Sequence, residues 1–161
     1  MADCFAQQNI STVDNIRKAV EKINSDTSYT TKTLDNEEFM KQMTDGGGQL
    51  TGYFKNGQLW KIIARIGLSS CVNTTEYYVQ DDKLYFVYIE GKEFKYVDSL
   101  ASFDPNIHNV TMECRFYYVN GKMIKSILTG STRCGGEPSD SWAKTYQDAC
   151  SKYVTLLLSN K

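Results

Sequence analysis

The chain is poor in the residues from which most active sites are built. Of its 161 residues one is a histidine, His108, and a catalytic triad, a Cys-His pair or a multi-histidine metal site would have to be assembled around it. Net charge is −1 with a pI near 5.8, so the broad electrostatic attraction behind nonspecific binding to nucleic acid or membrane surfaces is missing. Neither is expected as a partner. No apolar run approaches the roughly 20 residues that span a bilayer, and no membrane span is expected. The five cysteines, Cys4, Cys71, Cys114, Cys134 and Cys150, show no C-x-x-C spacing, which argues against zinc ribbons and thioredoxin-like motifs. The carboxylates Asp35, Glu37, Glu38, Asp81 and Asp82 sit in turns and polar connections and do not face one another as a glycosidase pair would. Asp104-Pro105-Asn106 falls short of a calcium loop. Asp45-Gly46-Gly47-Gly48 lacks the Lys-Ser/Thr of a phosphate loop and reads as a flexible connection. No cofactor, metal or catalytic residue is expected.

What the chain does have is a unit used three times. Tyr53-Phe54-Lys55-Asn56-Gly57-Gln58-Leu59-Trp60, Tyr78-Val79-Gln80-Asp81-Asp82-Lys83-Leu84-Tyr85 and Tyr117-Tyr118-Val119-Asn120-Gly121-Lys122-Met123-Ile124 each run a strand into a two-residue turn and out again. Asn-Gly tolerates the positive φ angles of a type I′ turn, whose twist matches that of the flanking strands. Counting back from the turns pairs Phe54 with Leu59, Val79 with Leu84 and Tyr118 with Met123 on one side of the sheet. Tyr53 with Trp60, Tyr78 with Tyr85 and Tyr117 with Ile124 fall on the other.

Before the hairpins, Ser11-Thr12-Val13-Asp14 reads as a capping box, and Val13, Ile16, Val20 and Ile23 form the apolar stripe of a helix over about 12–24. A first strand is expected around Tyr29–Thr33, and Glu38–Met43 is ambiguous between helix and strand. Further strands are expected near 49–55, 58–67, 71–79, 83–90, 93–97, 109–119 and 122–132, with 98–108 a long loop and a final helix from Ser139–Ser141 to about Leu158. The fold class is α+β: an antiparallel β-meander of about seven strands flanked by an N-terminal and a C-terminal α-helix. Residues 11–161 are read as one domain, and 1–10 as a disordered N-terminus or signal-peptide remnant.

Eleven tyrosines and two tryptophans are the compositional excess that could mean recognition, because tyrosine offers a rigid face and a polar tip. Sheet packing is the competing explanation. Tyr53, Trp60, Tyr78, Tyr85 and Tyr117 share a side by the register argument and are the candidate ligand or partner surface.

The run Gly47-Gly48-Gln49-Leu50-Thr51-Gly52-Tyr53-Phe54-Lys55-Asn56-Gly57-Gln58-Leu59, with Ile66-Gly67-Leu68-Ser69, Thr75-Glu76-Tyr77-Tyr78 and Lys83-Leu84-Tyr85-Phe86-Val87-Tyr88, resembles small uncharacterised exported proteins of the Bacteroidetes type. The likeness covers roughly residues 28–130, and Phe5-Ala6-Gln7-Gln8 resembles their signal cleavage sites. The cysteines depart from that pattern. Similar Tyr-Tyr-x-Asn-Gly-Lys-Leu units occur in MORN-like repeats, which keep a shorter period than the 25 and 39 residues between these turns. The resemblance implies a periplasmic or secreted location and no assigned activity, so it carries over no functional residue. With Cys4 set aside as part of a signal remnant, four cysteines remain, open to three disulfide pairings or to existence as buried thiols. The sequons at Asn9, Asn73 and Asn109 would carry glycans only in a eukaryotic secretory route. The favoured reading is a non-enzymatic binding module for a protein or small ligand, using the aromatic side or the 98–108 loop. The alternatives are an inhibitor or immunity-type protein that binds one enzyme through its hairpin tips, and a hydrolase built on His108 with a thiol or acid.

Overall fold

A computed structural model describes residues 9–159; the expected signal remnant, with Cys4, Phe5, Ala6, Gln7 and Gln8, lies outside the described residues. Helix α1 (Val13–Ser25) leads into β1 (Thr30–Asp35), the single-turn α2 (Asn36–Phe39), then β2 (Gly48–Lys55), β3 (Gln58–Gly67), β4 (Cys71–Gln80), β5 (Lys83–Val97), β6 (Ser102–Val119), β7 (Lys122–Gly130) and α3 (Trp142–Ser159). The seven strands form one antiparallel sheet in chain order, a pure meander. The fold is α+β as expected, the hairpin series predicting the meander and the apolar stripes the two flanking helices.

The three turn dipeptides are all left-handed: φ is 53° and 76° at Asn56-Gly57, 51° and 62° at Asp81-Asp82, and 51° and 77° at Asn120-Gly121. The first pairs beyond the turns are those expected, Phe54 with Leu59, Val79 with Leu84 and Tyr118 with Met123. The next pairs are corrections. Tyr53 lies opposite Lys61, Tyr78 opposite Phe86 and Tyr117 opposite Lys125, because each returning strand carries one extra residue there: Trp60, Tyr85 and Ile124. A β-bulge sets two residues against one, so the face assignment survives the slipped register. Trp60, Tyr85 and Phe86 all join one apolar cluster.

That sheet buries both faces. On one, α3 lays Ala143, Cys150, Val154 and Leu157 over Leu50, Leu59, Ile62, Tyr77, Val87, Ile89, Cys114, Phe116 and Tyr118. The other receives α1, which sets Ile16, Ala19 and Ile23 on Trp60, Tyr78, Tyr85, Phe86 and Tyr117. The helix begins one residue later than the capping box suggests, since Thr12 is the cap and its Oγ1 accepts from the Asn15 N–H at 3.2 Å.

Three further expectations are corrected. The strands at 83–90 and 93–97 are one strand, β5, and most of the 98–108 loop belongs to β6. The ambiguous segment after β1 is helical, but at 36–39. Gly46 and Gly47 are bound rather than flexible: Gly46 N–H donates to Gly67 O at 3.1 Å and Gly67 N–H to Gly47 O at 2.7 Å. A Cβ on Gly46 would stand 2.5 Å from the Gly67 carbonyl carbon, so the glycines permit a backbone contact that no side chain would fit.

Candidate functional site

The five aromatic residues singled out from sequence do gather on one face, but not as an open surface. Trp60, Tyr78, Tyr85 and Tyr117 are buried beneath α1, and only Tyr53, at the margin, is half-buried. The recognition-surface expectation is corrected, since the N-terminal helix takes the platform. Its polar tips are used to fix that helix. Tyr78 donates to Glu76, its oxygen lies 2.9 Å from Asn24 Oδ1 near the end of α1, and Lys61 Nζ bonds both Asn24 Oδ1 and Glu76 Oε2 at 2.9 Å. Burial and the Glu76 carboxylate push the Tyr78 hydroxyl well above its ordinary value. At the other end Arg17 Nε donates to Tyr117 Oη at 3.4 Å.

The exposed apolar residues lie elsewhere. Pairing with β4 ends at Cys71–Glu93 and pairing with β7 at Met112–Gly130, so beyond those points β5 and β6 continue alone as a two-stranded arm over 94–110. Tyr96 and Phe103 face each other across it, ring centroids 5.3 Å apart, and a 3₁₀ turn at Asp98–Leu100 closes its tip. Lys95 pairs with Asp104 but Phe94 with His108, leaving Pro105, Asn106 and Ile107 bulged out. Proline has no N–H for a ladder, and Asp104 Oδ1 takes up the Asn106 N–H at 2.9 Å, which holds the bulge as a compact turn. Of the six large apolar side chains that are exposed among the described residues, four are on the arm: Tyr96, Leu100, Ile107 and Val110. The sequence points to the 98–108 segment, but the alternation Val110, Met112, Cys114, Phe116 and Tyr118 predicts an inward Val110; Val110 is instead exposed, because pairing with β7 ends at Met112. The available signal is Ile107 standing between Asn106 and His108.

The arm's root is gripped from two sides. Ser70 O accepts the Phe94 N–H at 2.9 Å, and Arg133, on the strap between β7 and α3, bonds Glu93 through its N–H at 2.7 Å and its guanidinium at 2.9 Å. These bonds hold the Glu93 carboxyl below the usual range, the Arg133 N–H being the largest cause. The residues next to those two grips, Cys71 and Cys134, form a disulfide with Cα atoms 6.5 Å apart, within the usual span. This answers the open pairing question: Cys114 and Cys150 remain as buried thiols in the α3-side core. Burial pushes the Cys150 thiol up to about 12, which favours its protonated form.

His108 is exposed on the arm and bonds Pro105 O at 3.1 Å, so the fold does not bring it to either thiol. A groove of about 720 Å³ lies beside the second and third hairpin turns, lined in part by Gln80, Asp81, Asn120 and Gln147. Among the described residues no group of three or more His, Cys, Asp or Glu side chains is placed to hold a metal ion, and no helix is long and apolar enough to cross a membrane. Comparison with protein-family models, with curated proteins and with solved structures gave no match.

Proposed function

We propose that this protein is an exported, non-enzymatic binding module that holds a partner protein on the β5–β6 arm. One observation carries the reading: apolar exposure is concentrated on the element that projects furthest beyond the sheet. An isolated two-stranded ribbon is marginally stable in water, and exposing Leu100, Ile107 and Val110 on it costs solubility unless a partner covers them. Past the bonds of Phe94 to Ser70 and Arg133 and of Thr111 to Ser131, the ribbon has no neighbouring strand on either side among the described residues, and a partner's strand would pair with those edges. The disulfide fits a periplasmic or secreted location, the compartment that the Bacteroidetes-type resemblance implies.

The test compares the chain with a Tyr96→Ser/Leu100→Ser/Ile107→Ser variant as baits against the exported fraction of the source cells. Quantitative mass spectrometry should find a discrete protein enriched at least 10-fold on the parent chain and lost on the variant, with unchanged circular dichroism. Equal enrichment on both baits would refute the assignment to the arm. The inhibitor or immunity-type reading draws on the groove beside the hairpin turns, and there an Asn120→Lys/Gln147→Lys variant would lose the partner while the arm variant keeps it.

A further inference from the structure

We infer that the Cys71–Cys134 disulfide is a redox-governed clasp on the root of the arm, whose reduction frees residues 94–110 while the rest of the sheet stays folded. Its two cysteines adjoin the two grips already described. Cys71 follows Ser70, which accepts the Phe94 N–H, and it sits opposite Glu93 in the ladder. Cys134 follows Arg133, which bonds both Glu93 and the Phe94 carbonyl and stacks its guanidinium 5.0 Å over Phe103. The bond therefore closes a ring around the first residues of the arm: sheet, disulfide, strap, Arg133, Glu93.

Besides the disulfide, the strap is fixed by buried Thr132, by the Ser131 N–H on Thr111 O at 3.1 Å and, at its far end, by Ser126 Oγ on Asp140, whereas Arg133, Gly135, Gly136 and Glu137 are exposed. Once the covalent link is cut, Arg133 grips the root of the arm only through bonds to Glu93 and Phe94 O at a water-exposed position, where ion pairs contribute little.

The chemistry has a defined direction. Cys71 is fully buried and Cys134 half-buried, so a thiolate of a dithiol reductant attacks Cys134 Sγ. A sulfur–sulfur bond forms to the reductant, the Cys71–Cys134 bond breaks, and Cys71 leaves as a thiolate that takes a proton from water. The reductant's second thiol gives up its proton, attacks the mixed disulfide and expels Cys134 as a thiolate. The dithiol ends as a disulfide, two electrons having passed to the clasp.

That the freed arm would alter partner binding rests on the proposed function; the opening itself does not. The experiment is hydrogen exchange with mass spectrometry on the isolated full chain, oxidised, after dithiothreitol, and as Cys71→Ser/Cys134→Ser. Amides within 94–110 should exchange at least 10-fold faster in the reduced chain and the double variant by an opening that needs no global unfolding, while β2–β4 and α3 stay folded and protected. Arg133→Ala in the oxidised chain should speed the same amides, which keeps the idea testable should the double variant not fold. Unchanged rates in 94–110 with the bond absent would overturn the proposal. So would acceleration confined to the slowest core amides, since that marks a staple acting through the unfolded chain. Failure of the partner reading shows separately, as no enrichment on the oxidised bait.

Discussion

Tyr85 and Tyr118 are each about 1% exposed, yet their hydroxyls meet different fates. Tyr118 donates to Ala143 O at 2.7 Å in the first turn of α3, whereas the Tyr85 hydroxyl has no partner among the described residues. A buried donor without a partner loses its water and gains nothing, so Tyr85→Phe should leave stability unchanged or raise it by about 1 kcal/mol in urea unfolding. Tyr118→Phe should lower it by about 1 kcal/mol. A loss with Tyr85→Phe as large as that with Tyr118→Phe would contradict the assignment. That Trp60, Tyr78, Tyr85 and Tyr117 share a side was legible in the sequence, because turn chemistry fixes pairing and pairing fixes faces. What covers that side was not, since the stripe Val13, Ile16, Val20 and Ile23 shows that α1 is amphipathic without showing which surface it meets.

At the scale of elements, the second hairpin turn is the least favourable of the three. Asp82 adopts φ 62° where the other two turns use glycine. Asp82→Gly should therefore raise stability by about 1 kcal/mol, read as a shift in the urea midpoint at constant slope. The opposite sign is expected at the glycine contact between the loop before β2 and the end of β3. A methyl on Gly67 would stand 2.5 Å from Gly46 O, so Gly67→Ala should destabilise the chain and speed amide exchange in β2 and β3. The two long helices, β1 to β4, β7 and all three turns follow from local patterns, whereas the arm does not. Residues 98–108 carry Pro105, Asn106 and Asp104, which announce a loop, and the strand forms around a bulge that isolates them. The disulfide was not legible either, because its cysteines are 63 residues apart and meet only through the sheet.

For the molecule as a whole, two effects set the limits of stability. In the chain-entropy account a cross-link over 63 residues contributes about 4 kcal/mol, so loss of the Cys71–Cys134 bond should lower the global unfolding free energy in addition to opening the arm locally. Alkaline pH supplies the second limit. Burial raises the hydroxyls of Tyr77, Tyr78, Tyr85, Tyr118, Tyr146 and Tyr153, with Tyr146 pushed up to about 12. The native state then keeps protons that the unfolded chain releases near pH 10, so this stabilisation is complete below that pH and falls as pH rises through the native values. Absorbance of tyrosinate should therefore lag in the folded protein and rise together with the loss of circular dichroism above about pH 11. A smooth titration near pH 10 with the fold intact would contradict the burial of these rings. The arm stands outside this doubly buried sheet, and its role is the claim on which the functional account turns. Site-specific photo-crosslinkers at Leu100 and Ile107, with Lys144 on the outer face of α3 as control, test it in the source cells. The account predicts one discrete protein adduct from both arm positions and none from Lys144; adducts from Lys144 alone, or from no position, would contradict it.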